Sequence, residues 1–161
     1  MKHIILFAAM LVTFSFAKAQ VTGTSNQTVS LTLRNAISID ITSATGTTLT
    51  FDGSDDYRNG IANVSASTFQ VKSNRPWAVT VKAAAANFTG PVAPAAVMPS
   101  SVLGVRLAGG TTYAALSITA APFTSGIRGE SNFSVDYKAT PGFAYDAGTY
   151  TLAVVYTATQ Q

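Results

Sequence analysis

Few residues in this chain are of types that move protons, hold metals or attack bonds. His3 is the only histidine and there is no cysteine. That removes Ser-His-Asp and Cys-His arrangements and the common zinc sites. Glu130 is the only glutamate, in the loop Gly126-Ile127-Arg128-Gly129-Glu130. A glycosidase can work with two aspartates, but Asp40, Asp136 and Asp146 each fall where the pattern places a strand edge or a turn, ordinary sites for aspartate. The inventory reads as non-enzymatic.

The densest group of oxygen ligands is the loop Asp52-Gly53-Ser54-Asp55-Asp56-Tyr57-Arg58-Asn59. Asp52, Ser54 and Asp56 offer oxygens at alternate positions, as a calcium loop does. Tyr57 stands where an EF-hand requires glycine, and Asn63 where its bidentate glutamate belongs. Arg58 is placed to pair with Asp55 or Asp56. Two readings follow: a calcium site on Asp52, Ser54 and Asp56, or a polar connection between strands. No other cofactor is suggested.

Aromatic rings are the remaining chemistry, because they stack on sugars. Trp77, Tyr150 and Tyr156 occupy inward positions of alternating stretches and read as core. Tyr57, Tyr113 and Tyr145 lie in or near loops, within reach of a ligand. Four Asn-x-Ser/Thr triplets, at Asn26, Asn63, Asn87 and Asn132, are what chance gives in so Ser/Thr-rich a chain.

The elements that must position these groups read as strands. In Ser67–Ala83, Phe69 and Val71 alternate with polar neighbours, Ser73-Asn74-Arg75-Pro76 interrupts, and Trp77, Val79 and Val81 resume the alternation. This predicts two antiparallel strands around a polar turn, with the single tryptophan inward. Upstream, Val29, Leu31 and Leu33 and then Ile37, Ile39 and Ile41 predict one long bent strand or two strands that change sheets. Leu49 and Phe51 predict a short strand, and Asp52–Gly60 a loop. Prolines 91, 94 and 99 exclude a regular central element between Asn87 and Ser101.

Downstream, Leu103, Val105 and Leu107 predict a strand, Leu116 and Ile118 another, and Pro122–Ser131 a loop. Phe133, Val135 and Tyr137 alternate cleanly. The final strand, Thr149–Thr157, places Tyr150, Leu152, Val154 and Tyr156 on one face. With seven to nine short strands, no convincing helix and turn signals about every 8–12 residues, the expected fold is an antiparallel β-sandwich.

Lys2 and His3 followed by the apolar run Ile4–Phe16 and Ala17-Lys18-Ala19 read as a signal peptide over residues 1–19. Residues 20–161 then form a single domain. Without Lys2 and Lys18 the net charge falls from +3 to about +1, with eight scattered bases against seven acids. Nucleic acid calls for clustered Lys and Arg, so it is excluded as a partner. No later stretch is apolar enough to span a bilayer. The expected location is the periplasm, the cell surface or the medium. Sparse charge with abundant Thr and Val favours sheet edges that pair with one another.

Phe69-Gln70-Val71-Lys72-Ser73-Asn74-Arg75-Pro76-Trp77, Pro99-Ser100-Ser101-Val102-Leu103-Gly104-Val105, and Asp146-Ala147-Gly148-Thr149-Tyr150-Thr151-Leu152 through Val155-Tyr156-Thr157 carry a family likeness. The chain resembles the small exported β-sandwich proteins of Gram-negative bacteria, the spore-coat-protein-U-like and pilin-like domains. The resemblance implies an immunoglobulin-like sandwich in pilus-like or coat assemblies, with no catalytic residues to carry over. Chaperone–usher pilins carry an N-terminal donor strand of alternating large apolar residues; Val21, Gly23, Ser25 and Gln27 do not make one. The reading is a structural or adhesive envelope protein that associates with itself or with other envelope proteins through edge strands. The alternative is a soluble carbohydrate- or ligand-binding module that uses the loops at one end of the sandwich.

Overall fold

The computed structural model describes residues 22–43, 46–91 and 96–161, so the signal-peptide reading of residues 1–19 lies outside the described residues. The chain divides into two units, residues 1–33 and residues 34–161. In the first, residues 22–33 have no regular secondary structure. Val29, Leu31 and Leu33, expected in a strand, are 73%, 85% and 89% exposed.

The second unit is all-β and built from two antiparallel sheets. Its strands are β1 (Ile37–Ser43), β2 (Ile61–Ser73), β3 (Trp77–Ala83), β4 (Leu103–Leu107), β5 (Ala114–Ala115), β6 (Ala121–Gly126), β7 (Gly129–Ala139) and β8 (Val154–Gln160). The larger sheet has the order β1-β2-β7-β4-β5, and the smaller β6-β3-β8. Among the described residues no helix is long and apolar enough to cross a membrane.

Ser67–Ala83 is not a hairpin. β2 belongs to the larger sheet and β3 to the smaller, so Asn74-Arg75-Pro76 carries the chain across the sandwich. The turn is tied down by side chains rather than by a ladder. Asn74 donates through Nδ2 to the Arg34 carbonyl (2.7 Å) and accepts through Oδ1 from the Ala36 amide (3.0 Å). The Ser73 hydroxyl takes the Arg75 amide. Pro76 has no N–H to offer a neighbouring strand, which suits a crossing. Alternation identifies both strands but is silent about which sheet each joins.

The inward faces are as the alternation requires. Phe69 and Val71 on β2, Val135 and Tyr137 on β7, Val105 on β4, and Trp77, Val79, Val81 and Ala83 on β3 are buried. Rings stitch the sheets together. Phe69 stacks on its register partner Phe133 at 5.2 Å and meets Tyr156 of β8 at 4.4 Å. Phe123 of β6 closes the group against Phe133 and Tyr156. Trp77 is 3% exposed and lies against Gly126, where any Cβ would collide with the indole.

Other expectations change. Leu49 and Phe51 lie half-buried in a stretch with no ladder. Leu116 is buried, but Ile118 is exposed and only Ala114–Ala115 pair. Within the expected loop Pro122–Ser131, β6 forms as an edge strand, a position that tolerates Pro122. Tyr150 and Leu152 precede β8, where Thr151 makes only an isolated bridge to Thr89.

Candidate functional site

The Asp52–Asn59 stretch contains a short helix, α1 (Ser54–Asn59), where a loop was expected. Gly53 precedes it in an extended conformation, and Asp56 Oδ2 turns back to accept from the Asp52 (3.0 Å) and Gly53 (2.9 Å) amides. Acids in its first turn and Arg58 in its last complement the helix dipole. Asp52 thus lies just before the helix, Ser54 opens it, and Asp56 caps it. A cation bound by the three would have to share Asp56 with two amides. Arg58 pairs with Asp55 at 3.3 Å in the open. Among the described residues no group of three or more His, Asp or Glu side chains is arranged around a common point.

A concavity lies beside β8. It is a cavity of about 830 Å3, walled by Ile41 of β1, Phe69 of β2, Tyr137 of β7, and Val154 and Tyr156 of β8, with Leu49 and Phe51 along its flank. β8 borders it as an edge strand, paired on one side only. The direction of its backbone groups follows from its neighbours. The Ala84 amide donates to the Ala153 carbonyl, Thr151 exchanges two bonds with Thr89, and the Gln161 amide donates to the Pro76 carbonyl. Odd-numbered residues therefore face β3. By the two-residue repeat, the N–H and C=O groups of Leu152, Val154, Tyr156 and Ala158 point to the open side.

Inside the cavity wall the Tyr137 and Tyr156 hydroxyls bond each other at 2.9 Å, one from each sheet. Burial pushes up the ionisation of both phenols. For Tyr156 the neighbouring Tyr137 raises it further, whereas for Tyr137 the shared hydrogen bond offsets part of the rise. Both are neutral phenols at ordinary pH. The pair pins the two sheets together.

The loop aromatics form two separate groups. Tyr57 on α1 sits between Phe51, 5.4 Å away, and Phe143, 5.6 Å away and nearly parallel. Tyr145 and Tyr150 form a second, edge-on pair, with the Tyr150 hydroxyl donating to the Asp146 carbonyl. Tyr113 is elsewhere, under the guanidinium of Arg106 at 4.3 Å. Phe143 gave no signal in the sequence beyond its place between two turns.

Asp136 is the residue that strand reading misplaced. It lies in the middle of β7, with none of its side chain exposed. Opposite it, β2 bulges between Asn63 and Ser67, and Ser65 adopts a left-handed φ of 53°. The Ser65 amide donates to Asp136 Oδ1 at 2.7 Å, and Arg106 Nε donates to Oδ2 at 2.9 Å. Burial pushes this carboxyl upward, but the Ser65 amide, Arg106 and the Gly109 amide together hold it below the usual aspartate range. The arrangement fastens a bulge to two strands; it opens into neither the cavity nor the aromatic cluster. No protein-family model matches the chain, and no curated protein matches it.

Proposed function

We propose that the protein is an exported, non-enzymatic structural or adhesive component of the cell envelope, with an immunoglobulin-like sandwich that associates by strand pairing. The observation that supports this is the edge of β8. Within β8, Val154, Tyr156 and Ala158 turn to the open side backbone groups that no other described strand takes up, and Val154 and Tyr156 also line the cavity. Such an edge is a template for another strand, and side chains dropped into the cavity at alternate positions supply the specificity.

The chain carries a segment of matching pattern. Val29, Leu31 and Leu33 repeat with period two and, apart from Ile127, are the most exposed large apolar residues among the described ones. In a second copy they suit a pairing strand better than Val21–Gln27 does. Aliphatic side chains left in water cost roughly 25 cal/mol per Å² of apolar surface, which favours such a partner.

Ala158→Pro tests this. The substitution removes an N–H on the open side of β8 and leaves the β3 ladder intact, as proline at an edge allows. In size-exclusion chromatography with light scattering, the parent mature protein should form concentration-dependent oligomers, and the variant should be monomeric with an unchanged far-ultraviolet spectrum. Leu31→Asp should act in the same way from the other side of the contact. A parent protein that stays monomeric at high concentration sinks the reading.

A further inference from the structure

Two dipeptides in this chain are disposed to close a succinimide ring, and they stand at the two ends of α1. Asn59-Gly60 is the only Asn-Gly in the sequence and Asp52-Gly53 the only Asp-Gly. In each, the glycine nitrogen can attack the preceding side chain at Cγ, because glycine has no Cβ to obstruct the approach. Every other asparagine is followed by a residue with a side chain. Asp52 and Asn59 are both exposed.

Both glycine nitrogens are held, and by the same residue. The Gly53 amide donates to Asp56 Oδ2 at 2.9 Å, and the Gly60 amide donates to the Asp56 carbonyl at 2.8 Å. A nitrogen attacks only as its proton leaves, so an N–H engaged in a hydrogen bond is withheld from the reaction. α1 has six residues, none of them buried. A helix of that length is marginal on its own. What keeps it closed is the Asp56 side chain and the seat of Tyr57 between Phe51 and Phe143. Exposed turns of this kind open locally at small cost.

We propose that Asn59-Gly60 and Asp52-Gly53 are sites of covalent self-modification, gated by Asp56 through the opening of α1. At Asn59 the Gly60 nitrogen bonds to Cγ, the Cγ–Nδ2 bond breaks, and the amide proton leaves with the side-chain nitrogen as ammonia. Solvent water then opens the ring at either carbonyl and leaves aspartate or isoaspartate. At Asp52 the Gly53 nitrogen attacks the protonated carboxyl, water leaves, and hydrolysis returns aspartate or isoaspartate. No electrons change hands, and water is the sole co-reactant. The product at residue 59 adds a negative charge to the last turn of the helix, against its dipole. Isoaspartate also lengthens the main chain just ahead of Gly60, which lies against Thr140. Modification therefore loosens the element that held it back.

The test incubates the mature protein, native and in urea, at mildly alkaline pH for Asn59 and mildly acid pH for Asp52. Peptide mapping by chromatography and mass spectrometry follows each residue. In urea Asn59 should convert faster than any other asparagine. In the native protein it should convert at least about tenfold more slowly, the factor that an opening cost of about 1.4 kcal/mol imposes. Asp56→Ala should speed native conversion at both sites about fivefold, the worth of a lost cap. Asp56→Asn, which keeps an acceptor oxygen, should restore the slow rate. Amide exchange read by NMR checks the gate in the parent itself, where Gly53 and Gly60 should be protected relative to the urea-unfolded chain. Equal rates in native and unfolded protein overturn the proposal. So do an Asp56→Ala protein that reacts as slowly as the parent, unprotected Gly53 and Gly60 amides, or an Asn59 that stays intact in urea.

Discussion

Asp136 shows how much a single side chain can decide. Its carboxylate is surrounded by donors from β2, β4 and the turn after β4, and truncation would strand them all at once. Asp136→Ala should cost about 3–5 kcal/mol, as breaking a buried ion pair does, read from urea unfolding. Its ionisation also sets a pH window. The folded value is lowered, so the stability it contributes is present above about pH 4. It is lost as pH falls through the folded value, and acid titration of the Asp136→Asn variant should show a shallower decline. Trp77 is the complementary case. Trp77→Ala should cost about 3–5 kcal/mol, whereas Trp77→Phe should cost much less, because the indole N–H is buried without a partner. Paired thermal or urea melts decide both. Alternation in the sequence pointed to Trp77, since a large apolar residue in phase with valines must face inward. It could not point to Asp136. A polar residue at an outward position reads as surface unless one knows that a bulge more than 70 residues earlier folds over it.

Among the elements, those with strict period-two alternation were legible: β3, β4 and β7 lie close to where the pattern puts them. The failures have physical causes. Val29–Leu33 has the pattern of a strand but no regular secondary structure, and hydrogen-bonding partners rather than periodicity make a strand. β6 was hidden because Pro122 and two glycines read as loop, yet an edge strand tolerates them. α1 was hidden because six residues are too few for an apolar period, and its stability comes from the Asp56 cap and from Tyr57 docking between two rings. Gly60, just after α1, has φ +77° and lies against Thr140 and the Ala139 carbonyl. Gly60→Ala forces a side chain into a left-handed backbone and against Thr140, so it should cost about 1–3 kcal/mol. Denaturant unfolding measures the loss. The aromatic stack was half legible: Tyr57 was visible as a loop ring, but its contact with Phe143 brings together segments more than 80 residues apart.

For the molecule as a whole, the two sheets are joined by rings and by the Tyr137–Tyr156 hydroxyl pair. Both phenols ionise above the ordinary value, so the folded state resists losing their protons and the unfolded state does not. The stability this gives is fully present below about pH 10 and is lost as pH rises beyond it. Urea unfolding followed between about pH 8 and 11.5 should show this decline, and a Tyr137→Phe/Tyr156→Phe protein should show less of it. β8 also has a consequence in time. It lies later in the sequence than every strand it covers, and the Gln160 side chain bonds the Ala36 carbonyl across 124 residues. Val79 and Val81 keep an open flank until Val154–Gln160 arrive, so the sandwich cannot close progressively as the chain is made. Contacts of such sequence span make for folding in milliseconds to seconds rather than microseconds. During that interval a chain stopped short of residue 154 exposes β3 and the apolar floor beneath it, which makes the incomplete protein far more vulnerable to proteases and to aggregation than the finished one.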